Sequence, residues 1–150
     1  MLLILRRVFA ACALATLAAC ASGPKYNEVK SAIPTIPAEQ GRIIVYRSGS
    51  MVGAAIQPDV MMGGVKIGQS VPGGFFFVDR PAGSYEISTS TEVEKKLTLV
   101  LEKGETKYVK TSIGMGFMVG RVQPELIDPK QGQMEVEELS YTGTPLQGTK

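Results

Sequence analysis

The chain has 150 residues, a common size for one domain, with 16 basic and 14 acidic residues and no histidine. The formal charge of +2 leaves no basic footprint for nucleic acid. Without histidine, neither a Ser-His-Asp triad nor a histidine-ligated zinc site can form. The composition therefore predicts no nucleic-acid partner, no metal site and no cofactor.

Residues 1–19 are typical of a secretory signal peptide that ends at a lipoprotein processing site. Arg6 and Arg7 precede a short apolar stretch, and Leu17-Ala18-Ala19 leads into Cys20. The stretch is shorter than the roughly 20 apolar residues that span a membrane. The pattern resembles the lipobox of bacterial lipoproteins, which implies cleavage before Cys20 and lipidation of its thiol. An ordinary signal peptide and a twin-arginine signal are the open alternatives.

Processing at this position changes the charge, the cysteine content and the location of the chain. Loss of Arg6, Arg7 and Cys12 leaves 14 basic and 14 acidic residues and a single cysteine, so the mature chain is expected to be neutral and free of disulfides. Because one acyl chain binds only marginally, several chains on Cys20 would anchor the protein permanently. Ala21 follows Cys20, and the lipoprotein resemblance then implies the outer membrane, on its periplasmic side.

Residues 20–40 are predicted to be the lipidated Cys20 followed by a flexible linker. Pro24, Pro34 and Pro37 stand among small and charged residues with no apolar period. A fully extended segment of this length would reach roughly 60 Å at about 3.1 Å per residue. The composition thus predicts a domain held at a distance from the membrane.

Residues 41–140 are predicted to form one all-β domain, an antiparallel β-sandwich of about seven or eight short strands, with a small barrel as the alternative. Gly63-Gly64 predicts a two-residue hairpin, since both positions tolerate positive φ. Leu97, Leu99 and Leu101 alternate and are expected to face the core. One of the three phenylalanines at 75–77 is expected on the face opposite to the others. The predicted strands are 42–47, 60–62, 65–69, 75–79, 85–89, 97–101, 106–113 and 117–122.

A short C-terminal helix is predicted after Asp128-Pro129, because aspartate is a good cap and proline suits the first helical position. It would cover residues 130–139 in spite of Gly132, which lowers helix propensity. Residues 141–150 are expected to be a frayed tail.

Four motifs in residues 41 to 128 resemble a family of bacterial proteins known as domain of unknown function 2846, often found in lipoproteins. The resemblance implies a β-sandwich of the carrier-regulatory kind and brings no catalytic residues with it. The motifs are Gly41-Arg42-Ile43, Val71-Pro72-Gly73-Gly74-Phe75-Phe76, Pro81-Ala82-Gly83-Ser84-Tyr85-Glu86 and Val122-Gln123-Pro124-Glu125-Leu126.

A Gln-Pro-acid step occurs twice, each time after a glycine-rich apolar segment. Proline lacks an amide donor, so both steps are expected at strand starts or sheet edges. Two similar edges of one sandwich explain the pattern most simply. An alternative is a single binding face whose polar contacts would be Gln57, Asp59, Gln123 and Glu125.

The sequence as a whole predicts a lipid-anchored cell-envelope module that binds an envelope protein or glycan, or has a structural role, without catalysis. A carboxylate-based envelope glycan hydrolase is the main alternative, with a pair drawn from Asp59, Asp79 and Asp128. A Cu(I) protein is the second alternative, because thioether ligands favour that ion. Its candidate ligands are Met61, Met62, Met115 and Met118.

Overall fold

The computed structural model of the protein describes residues 21–90, 95–114 and 121–146, without the side chain of Arg121. The predictions for the signal peptide, for Cys20 and for Met115 and Met118 concern residues outside these ranges. Within them, no helix combines the length and the apolar character needed to traverse a bilayer.

The described residues form two sheets, which confirms the predicted all-β sandwich. One sheet has five strands in the order β8-β7-β1-β4-β9, and the other has four in the order β3-β2-β5-β6. Antiparallel pairs dominate, as predicted, but β1 pairs with β7 and β4 pairs with β9 in parallel. The strands are β1 (Gln40–Arg47), β2 (Asp59–Met62), β3 (Val65–Gln69), β4 (Gly74–Pro81), β5 (Gly83–Thr89), β6 (Lys96–Leu101), β7 (Thr106–Gly114), β8 (Arg121–Ile127) and β9 (Ser140–Tyr141).

The main core lies between the two sheets and combines side chains from both. Leu99 and Leu101 are buried in it and Leu97 packs against it, as their alternation predicts. Gly63 and Gly64 have φ of +55° and +81°, which confirms the tight hairpin between β2 and β3. The buried members are Ile43, Val45, Val60, Met62, Phe76, Ile87, Leu99, Leu101 and Val109.

A second core covers the outer surface of the five-stranded sheet, beneath helices α1 (Tyr26–Val29) and α2 (Pro129–Val136). Phe76 points into the main core, whereas Phe75 and Phe77 belong to the second one, so one phenylalanine does face away from the other two. The buried members of the second core are Val29, Ile44, Tyr46, Phe75, Tyr108, Val136, Leu139 and Tyr141.

The prediction of a flexible linker is wrong for residues 21–40, because this segment packs onto the domain. The Tyr26 amide donates to the Leu139 carbonyl at 3.0 Å, and the Tyr141 amide donates to the Pro24 carbonyl at 2.8 Å. Val29 is completely buried in the second core. These contacts remove the expected reach of the linker and place the described segment after Cys20 directly on the sandwich.

The C-terminal helix is confirmed, whereas the frayed tail is wrong for residues 141–146. The Asp128 carboxylate accepts from the amides of Lys130 and Gln131 at 3.0 and 3.2 Å. Beyond α2 the chain forms β9, in which Tyr141 is buried, and Leu146 packs against the second core. The last predicted strand, 117–122, lies outside the described residues as far as position 120, and the described strand β8 runs on from Arg121 to Ile127, past the predicted end.

Candidate functional site

The two carboxylates of the predicted binding face lie on opposite sides of the sandwich. Val60 points into the main core, so its neighbour Asp59 points out of the four-stranded sheet, where it pairs with Lys66 at 2.6 Å. Glu125 lies on the outer side of the five-stranded sheet, close enough to Tyr46 to raise its pKa. Asp59 and Glu125 therefore do not share a single surface.

The two glutamines of that face stand on different elements, Gln57 in the loop before β2 and Gln123 on β8. The Gln57 side chain donates to the Ala54 carbonyl at 3.2 Å, whereas Gln123 stands on β8 opposite Ser112. The expectation for the two prolines is confirmed, since Pro58 directly precedes β2 and Pro124 lies in the edge strand β8. The two Gln-Pro-acid segments are connected through Thr89 and Ser90, at the end of β5. Thr89 Oγ1 donates to the Val122 carbonyl, and the Asp59 amide donates to Ser90 Oγ.

The carboxylates considered for hydrolysis each have a structural partner. Asp79 accepts two hydrogen bonds from Arg42, at 2.7 and 2.8 Å, and the same guanidinium stacks 4.2 Å from the centre of the Phe77 ring. Asp59 pairs with Lys66, and Asp128 caps α2. These roles explain all three residues without catalysis.

The described methionines of the copper hypothesis point to different environments. Met62 is buried in the main core, and its neighbour Met61 alternates to the outer surface of the sheet. Among the described residues, no group of three or more acidic or cysteine side chains could hold a metal ion. Met61 and Met62 therefore do not present their thioethers on the same side of the strand.

Arg47, which the sequence analysis did not single out, fixes the loop of residues 48–57. It is 3% exposed and donates to the carbonyls of Ile56, Gly53 and Ser70 at 2.6, 2.9 and 3.3 Å. Burial lowers the pKa of its guanidinium. No carboxylate among the described residues forms an ion pair with it. Arg47 therefore stabilises the loop by donating hydrogen bonds to backbone carbonyls.

A small cavity of about 150 Å³ opens beside this loop, where β1 ends and β7 continues. Four of its lining residues carry hydroxyl groups, namely Ser48, Ser50, Thr111 and Ser112. Thr111 is held by hydrogen bonds to Ser70 and to the Tyr46 carbonyl. The cavity has room for a few water molecules or a small polar group.

A larger depression of about 330 Å³ lies at the opposite end of the sandwich, by the β2–β3 hairpin. Arg80 and Glu86 supply charges of both signs, and Tyr85 and Ile67 supply apolar surface. The Tyr85 hydroxyl donates to the Pro81 carbonyl at 2.7 Å, which fixes the ring. Mixed apolar and polar lining of this kind suits the binding of a ligand or of a partner side chain.

A polar network joins α2 to the five-stranded sheet. Glu135 accepts from Lys110 at 2.7 Å and from the Tyr46 hydroxyl at 3.1 Å. The hydrogen bond from Lys110 holds the pKa of Glu135 below its usual value of 4.5, although burial opposes this shift. Burial and the nearby Glu135 raise the pKa of Tyr46, so its hydroxyl remains a donor. The network fixes the position of the helix on the sheet.

Glu135→Gln is expected to lower the free energy of unfolding at neutral pH by about 1 kcal/mol, because the pair with Lys110 is partly exposed. The folded-state pKa of Glu135 is depressed, so its contribution is present above 4.5 and is lost as pH falls through the lower folded value. Urea titrations of the wild type and the variant should therefore converge in acid. Glu138→Gln, at an exposed position, is the control. A gap that persists in acid would contradict the prediction.

Three segments without a charged residue meet at the end of the five-stranded sheet where β1 ends and β4 begins. These are residues 21–24, 48–57 and 71–74, which we call the uncharged patch. The Ala21 amide donates to the Pro72 carbonyl at 3.0 Å, and the Gly73 amide donates to the Arg47 carbonyl at 3.0 Å. Their lack of charge is visible in the sequence, but their contact is not.

Comparisons with known proteins agree with the motifs. The model of a family described as protein of unknown function (DUF2846) matches residues 37–122, more than half of the chain. An uncharacterized protein of Haemophilus influenzae is 28% identical over 129 residues, which cover 83% of this chain and 76% of that protein. No solved structure matches the chain. The extent of the family match shows that the chain belongs to the DUF2846 family of proteins of unknown function.

Proposed function

We propose that the protein is a lipoprotein of the cell envelope, anchored through acylated Cys20 to the outer membrane on its periplasmic side. The observation that supports the proposal is that Ala21, the residue after the cysteine, is docked on the sandwich by a hydrogen bond from its amide to the Pro72 carbonyl. A cut before Cys20 would thus leave the acylated residue next in sequence to a residue that is bound to the sandwich.

The domain would act as a binding or structural module without catalysis. Its acidic candidates are occupied in an ion pair with Arg42, an ion pair with Lys66 and a helix cap. The depression beside Tyr85 is the most suitable place for an envelope protein or a glycan. A screen against peptidoglycan and glycan fragments should detect no turnover, and the release of any fragment would contradict this part of the proposal.

Metabolic labelling with palmitate tests the anchor. The wild type is expected to incorporate label and to sediment with the outer membrane, whereas Cys20→Ser should incorporate none. Cys12→Ser is a matched control, since the proposed processing discards that cysteine and the variant should label like the wild type. Label that persists in Cys20→Ser would overturn the anchor, and recovery with the inner membrane would overturn the location.

A further inference from the structure

The uncharged patch presents two exposed apolar side chains at the tip of its longest segment. Met51 is 85% exposed and Val52 is 66% exposed. We infer that this patch is a second membrane contact, with Met51 and Val52 seated in the interfacial layer of the bilayer that holds the lipid on Cys20. The inference rests on the proposed lipid anchor and adds an orientation to it.

The first argument is the short distance between the anchor and the patch. Ala21 is docked on the turn at 71–74 by its bond to Pro72, and a Cβ on Gly74 would lie 3.3 Å from Ala21 Cβ. Consecutive Cα atoms are about 3.8 Å apart, so the residue that would carry the lipid is one step along the chain from this docked position. The membrane surface that receives the acyl chains must therefore come close to the patch.

The second argument is that the loop with Met51 and Val52 lies next to the turn on which Ala21 is docked, and that the loop is held in shape. A Cβ on Gly49 would lie 3.9 Å from Gly73 Cα, so the two glycines are in contact range. Arg47 binds the far side of the loop through the carbonyls of Gly53 and Ile56. The apolar tip is thus exposed on a fixed base, and its burial in lipid requires little further ordering of the chain.

The third argument is the absence of charge from the patch, since a charged side chain in the apolar part of a bilayer is costly. Residues 21–24, 48–57 and 71–74 contain none, and Lys25 and Asp59 stand at the border of the patch. The two other charged residues beside it are Arg47, which is 3% exposed, and Lys110, which is paired with Glu135. The turn between β6 and β7, at the opposite end, contains Glu102, Lys103 and Glu105. This asymmetry favours the patch as the side that meets lipid.

A bilayer suits this surface better than a protein partner does. Acyl chains on the residue before Ala21 would keep lipid next to the patch at a high effective concentration, whereas a protein would have to displace it. In this orientation the β2–β3 hairpin and the depression lined by Arg80, Tyr85 and Glu86 face away from the membrane, towards soluble partners.

Site-specific fluorescence on the acylated full chain tests the orientation. Val52→Cys and Val65→Cys are labelled with an environment-sensitive nitrobenzoxadiazole probe, on protein reconstituted in vesicles of phosphatidylethanolamine and phosphatidylglycerol. Val65 is a matched control, because it is the same residue type, is 67% exposed and lies in the hairpin at the other end. After processing and acylation, the introduced thiol is the free one. The Val52 probe should shift to the blue and be quenched by lipid-borne nitroxide, and the Val65 probe should be quenched by aqueous iodide.

Each outcome is decisive. If the protein binds the vesicles and iodide quenches both probes, the proposed orientation is wrong but the lipid anchor stands. If lipid-borne nitroxide quenches the Val65 probe, the proposed orientation is also wrong. If the chain carries no lipid, the proposed anchor fails and the inference falls with it. A further probe is placed in the patch at Ser50→Cys, and its nitroxide quenching is compared with that of the Val65 probe in the hairpin. Replacement of both Met51 and Val52 by serine should abolish the difference in quenching between these two probes. Replacement of Met134 and Val100, also exposed apolar residues, by serine should preserve it.

Discussion

Arg47→Met is expected to lower the free energy of unfolding by about 3 kcal/mol, because it removes charged hydrogen bonds to three carbonyls at once. Methionine retains much of the apolar stem but leaves the carbonyls of Gly53, Ile56 and Ser70 without their donor. Release of the buried charge offsets part of the loss. Since domains are stable by only about 5–15 kcal/mol, this is a large fraction. Urea denaturation of the two proteins measures it directly.

The control is Arg80→Met, because the guanidinium of Arg80 is half-buried and donates to the carbonyl of its own neighbour, Asp79, at 2.9 Å. We expect a change below about 1 kcal/mol there. Hydrogen exchange adds a local test, since residues 48–57 should lose protection in Arg47→Met. If Arg47→Met and the wild type are equally stable, and hydrogen exchange in residues 48–57 is unchanged, then Arg47 does not stabilise the loop.

Gly132→Ala is expected to destabilise the domain by about 1–3 kcal/mol, although alanine is the better helix former by about 1 kcal/mol. Gly132 lies in α2 where the helix crosses β7, and an added Cβ would be 2.5 Å from Tyr108 Cβ and 2.7 Å from its Cδ1. Tyr108 cannot easily move, because it is buried and its hydroxyl donates to Gln133. Helix and sheet would have to separate. Thermal or urea unfolding decides the sign.

Gly49→Ala provides the comparison for this glycine effect. Gly49 is exposed, its φ lies outside the left-handed region, and a Cβ there would have one neighbour within 4 Å, Gly73 Cα at 3.9 Å. We expect a neutral change or a small gain of about 0.5 kcal/mol, from the lower entropy of the unfolded chain. A gain in stability for Gly132→Ala as well would disprove the close contact of α2 with Tyr108.

The strands of the sandwich were predictable because their signals are local. The alternation of Leu97, Leu99 and Leu101 and the Gly63-Gly64 turn depend on residues close together in the chain, and the structure confirms them. The helix cap at Asp128 is a signal of the same kind. Gly132 lowers the helix propensity of this segment. The reason that the helix keeps it is its contact with Tyr108, 24 positions away, and no local pattern indicates that contact.

The role of residues 21–40 and 141–146 was not predictable, because it depends on partners distant in sequence. Val29 has no apolar period around it, and it becomes buried only when Leu139 and Tyr141 come alongside. Polar segments rich in proline have the composition of linkers whether or not a second segment covers them. The parallel pairing of β1 with β7 was missed for a similar reason, since strand patterns do not name their neighbours.

The sequence by itself determined the strands, the capped helix and a cysteine pattern typical of lipoproteins, since each depends on neighbours along the chain. Only the tertiary structure decided which polar residues share a surface, and it separated Asp59 from Glu125 by the thickness of the sandwich. It also brought Ala21, the loop at 48–57 and the turn at 71–74 to one uncharged end. Side-chain direction and strand order fix these placements, and both are set by long-range pairing and packing of the two cores.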